Sequence, residues 1–280
     1  MSSAPVLKKS TVDAAFEFFR TELKRRVGIN ISENKSEMMS GRLRKRLIEL
    51  KLHDFDDYAE YLKSLPSAHE EWETFVNCLT TNKTDFFREP EHFEYLTTEI
   101  IPEWRKQNKS EFNVWCAAAS TGEEPYTLSM VLHRQAKLKH FDYSIVATDI
   151  DSDVLEKAQH GVYSKSKLHE IPLDYQREAI AVGTGDIDRW MKIKNPLREA
   201  LSFERCNLVK SPYSHSKKYD VVFCRNVLIY FTPETIQGVA KGIYDVTKPG
   251  GYLIIGHSES LHNVDSPWQY IKPSVYRKKA

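Results

Sequence analysis

The chain has 280 residues, enough for one large domain or two, and its 40 basic and 39 acidic side chains nearly cancel. No global field favours nucleic acid as a partner, and no apolar run reaches the length of a membrane span. The first residues, MSSAPVLKKS, lack the apolar stretch of a secretory signal. Cys78, Cys116, Cys206 and Cys224 are too scattered for a metal-ligand spacing. Buried free thiols in a reducing cytoplasm, and no metal, are the expectation.

Residues 11–80 read as helical. VDAAFEFFRTELKRRVG carries apolar residues at helical spacing and closes on Gly28. Further helices are predicted at about Asn34–Leu50, Phe55–Leu65 and His69–Leu79, which together make a small bundle. The second helix carries Arg42, Arg44, Lys45 and Arg46, with Lys51 just beyond. Arg42, Lys45 and Arg46 share one face. On a chain of balanced charge this is a local asymmetry, suited to an acidic partner helix or an anionic substrate surface. The plainer alternative is a solvated helix face. No aromatics interleave with these charges, which weakens a nucleic-acid reading.

LTTNKTDFFREPEHFEYL follows, from Leu79 to Leu96. Asn82, Thr84 and Arg88 fall within seven residues, and Pro90 opens a helix. Arg88, beside Phe86 and Phe87, offers a planar fork to an anion, with a surface ion pair as the alternative.

From Glu111 onward short apolar strands (FNVWCA, YSIVATDI, YDVVFCRN, GYLIIGHS) alternate with helices at Glu123–Lys137, Asp151–Gln159 and Pro233–Thr247. Such alternation predicts a parallel sheet with helices on both faces and a ligand at the carboxyl ends of the strands. The most informative stretch is Val114–Tyr126, VWCAAASTGEEPY. A strand ends in small residues and Gly122, and a helix starts at once. The next strand ends on Asp149. Ala118 and Ser120 stand where a dinucleotide fingerprint has glycines, and Glu123 and Glu124 open the helix. A pyrophosphate sits badly beside two carboxylates, whereas the sulfonium and ammonium of S-adenosylmethionine sit well. The alternative is that the glutamates only favour the helix dipole.

Gly161 to about Phe203 interrupts the rhythm. Gly183-Thr184-Gly185 and strand-like runs at Asp188–Ile193 and Ala200–Cys206 suggest a small antiparallel insertion, either a peptide-accepting edge or a simple surface elaboration. Beyond it, FCRNVLIYF places Asn226 directly after a strand, with its amide free to donate and accept, and Tyr230 four residues later.

TTNKTDFFRE, AAASTGEEPY, ATDIDSDVLEKA and FCRNVLIYF, followed by KPGGYLIIGHSE, closely resemble the chemotaxis receptor methyltransferases, the CheR family. The likeness runs from the N-terminal helices to the last strand. It implies a Rossmann-like S-adenosylmethionine-dependent methyltransferase sheet (83–280) with a small antiparallel β insertion (about 161–205), preceded by an all-α receptor-contacting domain (1–82). It also implies a cytoplasmic enzyme that methylates glutamates on the cytoplasmic helices of chemoreceptors, releases S-adenosylhomocysteine and meets the membrane only through its receptor. By the same resemblance, Asn82, Thr84 and Arg88 line the cofactor and substrate crevice and Asp149 binds the ribose. Asn226 and Val227, with Asn207 and Leu208, hold the adenine and methionine ends. One of Glu123 and Glu124 touches the cofactor, and Arg42, Arg44 and Arg46 face the receptor. In some members the β insertion binds a peptide at the receptor's C-terminus through a glycine-rich segment; here GTGDIDRW has Arg189 at one of those places.

The chemistry needs little acid–base assistance, because a glutamate, with a pKa of about 4.3, is already ionised near neutrality. Placing carboxylate oxygen, methyl carbon and sulfur in line is worth about 7–11 kcal/mol. Arg88 is expected to hold the carboxylate and Tyr230 to assist. Three other readings stand beside this one: a nucleotide-dependent oxidoreductase, a degenerate methyltransferase domain that only binds signalling partners, and a methyltransferase for another acidic substrate.

Overall fold

The structure, a computed structural model, describes residues 11–214 and 217–279. Its contacts divide the chain into a unit ending at Thr81 and a unit beginning at Asn82. Among the described residues no helix is long and apolar enough to cross a membrane.

The first unit contains α1 (Thr11–Val27), α2 (Ser36–Leu50), α3 (Phe55–Ser64) and α4 (Glu71–Leu79). The helical periodicity puts Phe19, Leu23, Met39, Leu43, Leu47, Tyr58, Leu62 and Phe75 into one buried core. Asp54 caps α3 by accepting the Asp57 amide. Glu71 is buried, and its carboxylate accepts from Arg46 and from the Tyr58 hydroxyl at 2.7 Å.

The second unit is built on a seven-stranded sheet. A helical segment, α5 (Glu91–Tyr95) and α6 (Ile101–Arg105), precedes it. The strands are β1 (Glu111–Cys116) and β2 (Asp142–Asp149), then three short strands β3 (Val162–Ser164), β4 (Ile180–Val182) and β5 (Trp190–Ile193). β6 (Leu201–Arg205), β7 (Tyr219–Cys224), β8 (Thr247–Ile255), β9 (Gln269–Lys272) and β10 (Val275–Arg277) complete them. The main sheet has the order β6-β2-β1-β7-β8-β10-β9. The β6-to-β8 part is parallel, and β10 runs antiparallel to both of its neighbours. The helices α7 (Glu123–Lys139), α8 (Ser152–His160), α9 (Leu173–Ala179), α10 (Asn195–Arg198) and α11 (Pro233–Val246) fill the connections. One apolar cluster joins α5, α6 and α7 to a face of the sheet, around Phe93, Trp104, Phe112 and Leu128. A second joins α11 to the other face, around Trp115, Val222, Ile243 and Leu253. Every residue of β7 is buried, as befits a central parallel strand covered on both sides.

The sequence placed Ala200–Cys206 in the antiparallel insertion, and the structure corrects this. β6 pairs in parallel with β2, Leu201 opposite Ile145 and Phe203 opposite Ala147, at the edge of the main sheet. Its alternating Leu201 and Phe203 reflect a half-covered edge strand rather than a hairpin arm; both side chains pack on the apolar cluster beneath the sheet. The antiparallel insertion is the separate sheet β3-β5-β4. β9 and β10, only four and three residues long, had no distinct signal in the sequence.

Candidate active site

Chain order in the sheet reverses beside β1: β2 and β6 lie on one side, β7 and β8 on the other. A crevice opens at the carboxyl ends of strands at such a switch point. The sequence clusters meet there. Ala117 donates to Phe223 O at 2.8 Å and Ala119 to Thr148 O at 2.9 Å, so the small-residue turn is fastened to both neighbouring strands. Gly122 begins α7 with φ +99°, and a Cβ on it would lie 2.7 Å from the Tyr163 hydroxyl, so only glycine fits this turn.

On the β2 side, the Asp149 carboxylate accepts from the Ser120 amide at 2.8 Å and the Asp151 amide at 3.0 Å. Ser120 Oγ donates to Asn82 O at 3.0 Å, and Asn82 Nδ2 donates to Asp151 Oδ2 at 2.7 Å. The Asn82 loop, the β1 turn and the end of β2 thus form one hydrogen-bonded ring. Burial pushes the Asp149 carboxyl up to about 6, against the lowering effect of its amide donors. Cys206 N donates to Asp149 O, which brings the Asn207-Leu208 segment alongside. Asn207 Oδ1 accepts the Val209 amide, and Leu208 packs in the same cluster as Ala117, Val227 and Leu228.

On the β7 side the organiser is Arg225, which the sequence reading passed over. Its side chain has no exposed surface. It donates to Glu124 Oε2 at 2.5 Å, Glu89 Oε2 at 3.0 Å and the Arg88 carbonyl at 2.6 Å. Asn226 Nδ2 donates to the other Glu89 oxygen at 3.2 Å. Arg225 therefore fastens the loop that carries Arg88 to the end of β7 and the start of α7. Arg88 itself donates to Lys83 O at 3.2 Å and lies 3.9 Å from Glu89, with about a third of its side chain exposed. Four non-glycine residues here, Phe87, Glu89, Ser120 and Asn226, have φ between +47° and +58°. Left-handed backbone of this kind is held only where the surroundings over-determine it, and it gathers at functional sites.

The two candidate glutamates differ. Glu124 is tied to Arg225 and accepts from the buried Cys116 thiol. Glu123 accepts from Thr121 Oγ1 at 2.6 Å and pairs at 3.0 Å with Lys167, a part-exposed residue of the insertion that also donates to Thr84 O. Tyr230 follows in the short helical turn Leu228–Tyr230, and among the described residues its hydroxyl has no hydrogen-bond partner. Beside the network, His92 is buried, and its imidazole is held neutral, its pKa lowered to about 3 by burial and by Arg225. Glu89, His92 and His257 come within 4.8 Å of one another. Glu89, however, is taken up by Arg225, Asn226 and the His257 amide, which makes it a link in the ion network rather than a ready metal ligand.

The basic helix α2 divides in two. Arg42 donates to Leu79 O, Thr80 O and Thr81 Oγ1, closing the end of α4. Arg46 is bound to Glu71 and Glu49. Both guanidiniums serve their own unit, whereas Arg44 and Lys45 are exposed. Lys45 lies 3.7 Å from Glu49, so periodicity groups Arg42, Lys45 and Arg46 on one face, but only the structure shows which partners each cation has. Arg225, Glu89 and Glu259 were each visible in the quoted motifs, as the charged neighbours of Asn226, Arg88 and Gly256; nothing in one sequence marks them as buried.

The family model described as the CheR methyltransferase SAM-binding domain matches residues 82–276, and that of the CheR all-alpha domain matches residues 14–80. A chemotaxis protein methyltransferase of Klebsiella aerogenes is 36% identical over 265 residues, covering 94% of this chain and 89% of that protein. One of Escherichia coli is 35% identical over 264 residues, covering 94% and 90%. Chemotaxis protein methyltransferase 2 of Pseudomonas aeruginosa is 35% identical over 263 residues, covering 93% and 91%. With both domains matched in order and the motif residues gathered at the ends of the strands, the chain belongs to the CheR family of S-adenosylmethionine-dependent chemotaxis methyltransferases.

Proposed function

We propose that the chain methylates glutamate side chains on the cytoplasmic helices of chemoreceptors, producing glutamyl methyl esters, and that it works in the cytoplasm and reaches the membrane only through its receptor. The observation that carries the reading is that two hydrogen-bonded networks, one holding Asn82 and Asp149 and the other holding the Arg88 backbone and Asn226, stand on either side of β1 at the switch point.

The residues present fit the donor. The turn after β1 is lined by small side chains, a buried carboxylate stands at the end of β2, and the acidic Glu123 opens α7. This set suits ribose hydroxyls and an ammonium better than a pyrophosphate. Asp149 takes the ribose, since each carboxylate oxygen keeps a lone pair beyond its amide bond. Asn207, Leu208, Asn226 and Val227 flank the adenine and methionine ends, and Asn82 and Thr84 close the loop side. One of Glu123 and Glu124 meets the ammonium: both are buried, Glu123 held by Thr121 and Lys167 and Glu124 by Arg225 and the Cys116 thiol. When bound, the donor supplies an electrophilic methyl group on sulfur.

Arg88 orients the acceptor carboxylate with the part of its fork that Lys83 O does not occupy. Tyr230, whose hydroxyl has no hydrogen-bond partner among the described residues, lies one short turn beyond Asn226 and adds a hydrogen bond. Exposed Arg44 is the cation offered to an acidic receptor surface, with Lys45 beside it paired to Glu49; Arg42 and Arg46 support the helix that presents it. The outer edges of β3 and β4 carry exposed Val162 and Val182 and have no further strand beside them among the described residues. That supports pairing with an extended receptor C-terminal peptide.

The test is transfer of labelled methyl from S-adenosylmethionine to a receptor cytoplasmic fragment, followed by mild base. Label released as methanol supports a glutamyl ester. Base-stable label, or none on any receptor fragment, refutes the assignment.

A further inference from the structure

The end of β8 carries Gly256-His257-Ser258-Glu259, which the roles above leave unused. Glu259 is buried, and its two oxygens collect four backbone amides: Gly256 at 2.6 Å, Leu228 at 2.7 Å, Asn226 at 2.9 Å and Ile229 at 3.3 Å. Three of these belong to the loop that leaves β7, and the fourth, Gly256, directly follows β8, so one carboxylate ties the segments beyond the two strand ends together. The approach is close. A Cβ on Gly256 would stand 2.5 Å from Asn226 Nδ2 and 2.9 Å from Glu259 Oε2. Asn226 is held at φ +58° between this carboxylate and Glu89, which takes its side-chain amide.

Amides at successive positions of a loop usually face an anionic ligand or a helix's own carbonyls. Here a side chain fills the nest from behind. Its acceptor-only carboxylate satisfies donors that would otherwise be buried and unpaired.

We propose that Glu259 is a positioning residue for the methyl donor: its carboxylate fixes the Asn226–Ile229 loop in the conformation that receives the donor, with Gly256 leaving the room this requires. The proposal rests on the reading of Asn226 and Val227 as donor contacts. Glu259 touches neither donor nor acceptor; it acts through the loop.

The experiment compares wild type, Glu259→Gln and Glu259→Ala in the full chain. S-adenosylhomocysteine affinity is measured by calorimetry, and steady-state constants are measured for donor and receptor fragment separately. Gln is isosteric but presents an NH2 to amides that need an acceptor, so it opposes the loop geometry while filling the same space. The expected result is a loss of donor affinity of about tenfold or more in both variants, as a lost charged hydrogen bond implies. Donor KM rises in parallel and receptor KM is unchanged. Added formate restores donor affinity to Glu259→Ala and leaves Glu259→Gln, whose cavity is filled, unaffected. A general packing defect would not show that selective rescue. Wild-type affinity in Glu259→Gln, or equal rises in both KM values without formate rescue, overturns the positioning role. Absence of S-adenosylhomocysteine binding by the wild type instead removes the donor site, and the proposal with it.

Discussion

Asp149→Asn separates binding from stability at one atom pair. In the folded chain Asp149 is buried, with its pKa raised to about 6 from its ordinary value of 3.8. Ionising it therefore costs more folded than unfolded. The unfavourable contribution grows as pH rises from about 4 to about 6 and is complete above that, at about two pH units or about 3 kcal/mol. Asn carries no charge and removes this penalty. It also turns one acceptor oxygen into a donor facing the Ser120 or Asp151 amide, which costs about 1–3 kcal/mol. At pH 7.5 the two effects nearly cancel, and the melting temperature should move by only a few degrees. At pH 5 the wild type has recovered about 1 kcal/mol, so the variant should become the less stable protein there. Donor affinity behaves differently. The Asn side chain loses a charge-assisted acceptor for the ribose, and S-adenosylhomocysteine should bind about tenfold to a hundredfold more weakly at pH 7.5. The wild type should show its own fall in affinity below about pH 6 as Asp149 is protonated. Differential scanning fluorimetry and calorimetry across pH 5–8 check both. A stability difference that does not change with pH, together with affinity within threefold of wild type, would refute the assigned role and the buried-charge argument together.

Arg88→Ala should abolish turnover while leaving the melting temperature within a few degrees, because the side chain is part-exposed and makes one hydrogen bond; near-normal rates would sink its role. Arg225→Met should destabilise the second unit by about 3–5 kcal/mol, since it leaves Glu89 and Glu124 without their shared cation; urea unfolding reads this, and a loss under 1 kcal/mol contradicts it. His92 is neutral when folded and takes up a proton more readily when unfolded, so its contribution is present above about pH 6.5 and is lost as pH falls toward 3. His92→Gln should therefore flatten the acid limb of the stability curve, and an unchanged limb would show that other groups set it. Arg44→Glu should raise KM for the receptor fragment several-fold at low salt and leave donor KM alone; equal values for variant and wild type would move the receptor surface elsewhere.

Much of the fold was legible because its signals are local. The helical spacing of α1 to α4, the Pro233 start of α11 and the apolar runs of β1, β2, β7 and β8 each declare themselves within a dozen residues. β6 did not, because an edge strand with one covered face has the same alternation as a hairpin arm; its partner, β2, lies about fifty residues away, and only pairing tells them apart. Among the site residues, those that adjoin a turn or a strand end, such as Gly122, Asp149 and Asn226, were identifiable from position alone. Arg42 and Arg46 carried the same charge pattern as Arg44, yet the structure gives them partners inside their own unit.

By itself the sequence determined the order of elements, the small-residue turn after β1, the acidic end of β2 and the charge types offered to a ligand. These follow from steric size and periodicity, which are properties of neighbouring residues. Only the tertiary structure decided which charges are spent on one another. Arg225 unites Glu89, Glu124 and the Arg88 carbonyl across more than a hundred positions, and Glu259 gathers amides from the segments that follow β7 and β8. Burial makes those pairings necessary: an ionised group cut off from water must find its counter-charge or its donors wherever the fold brings them.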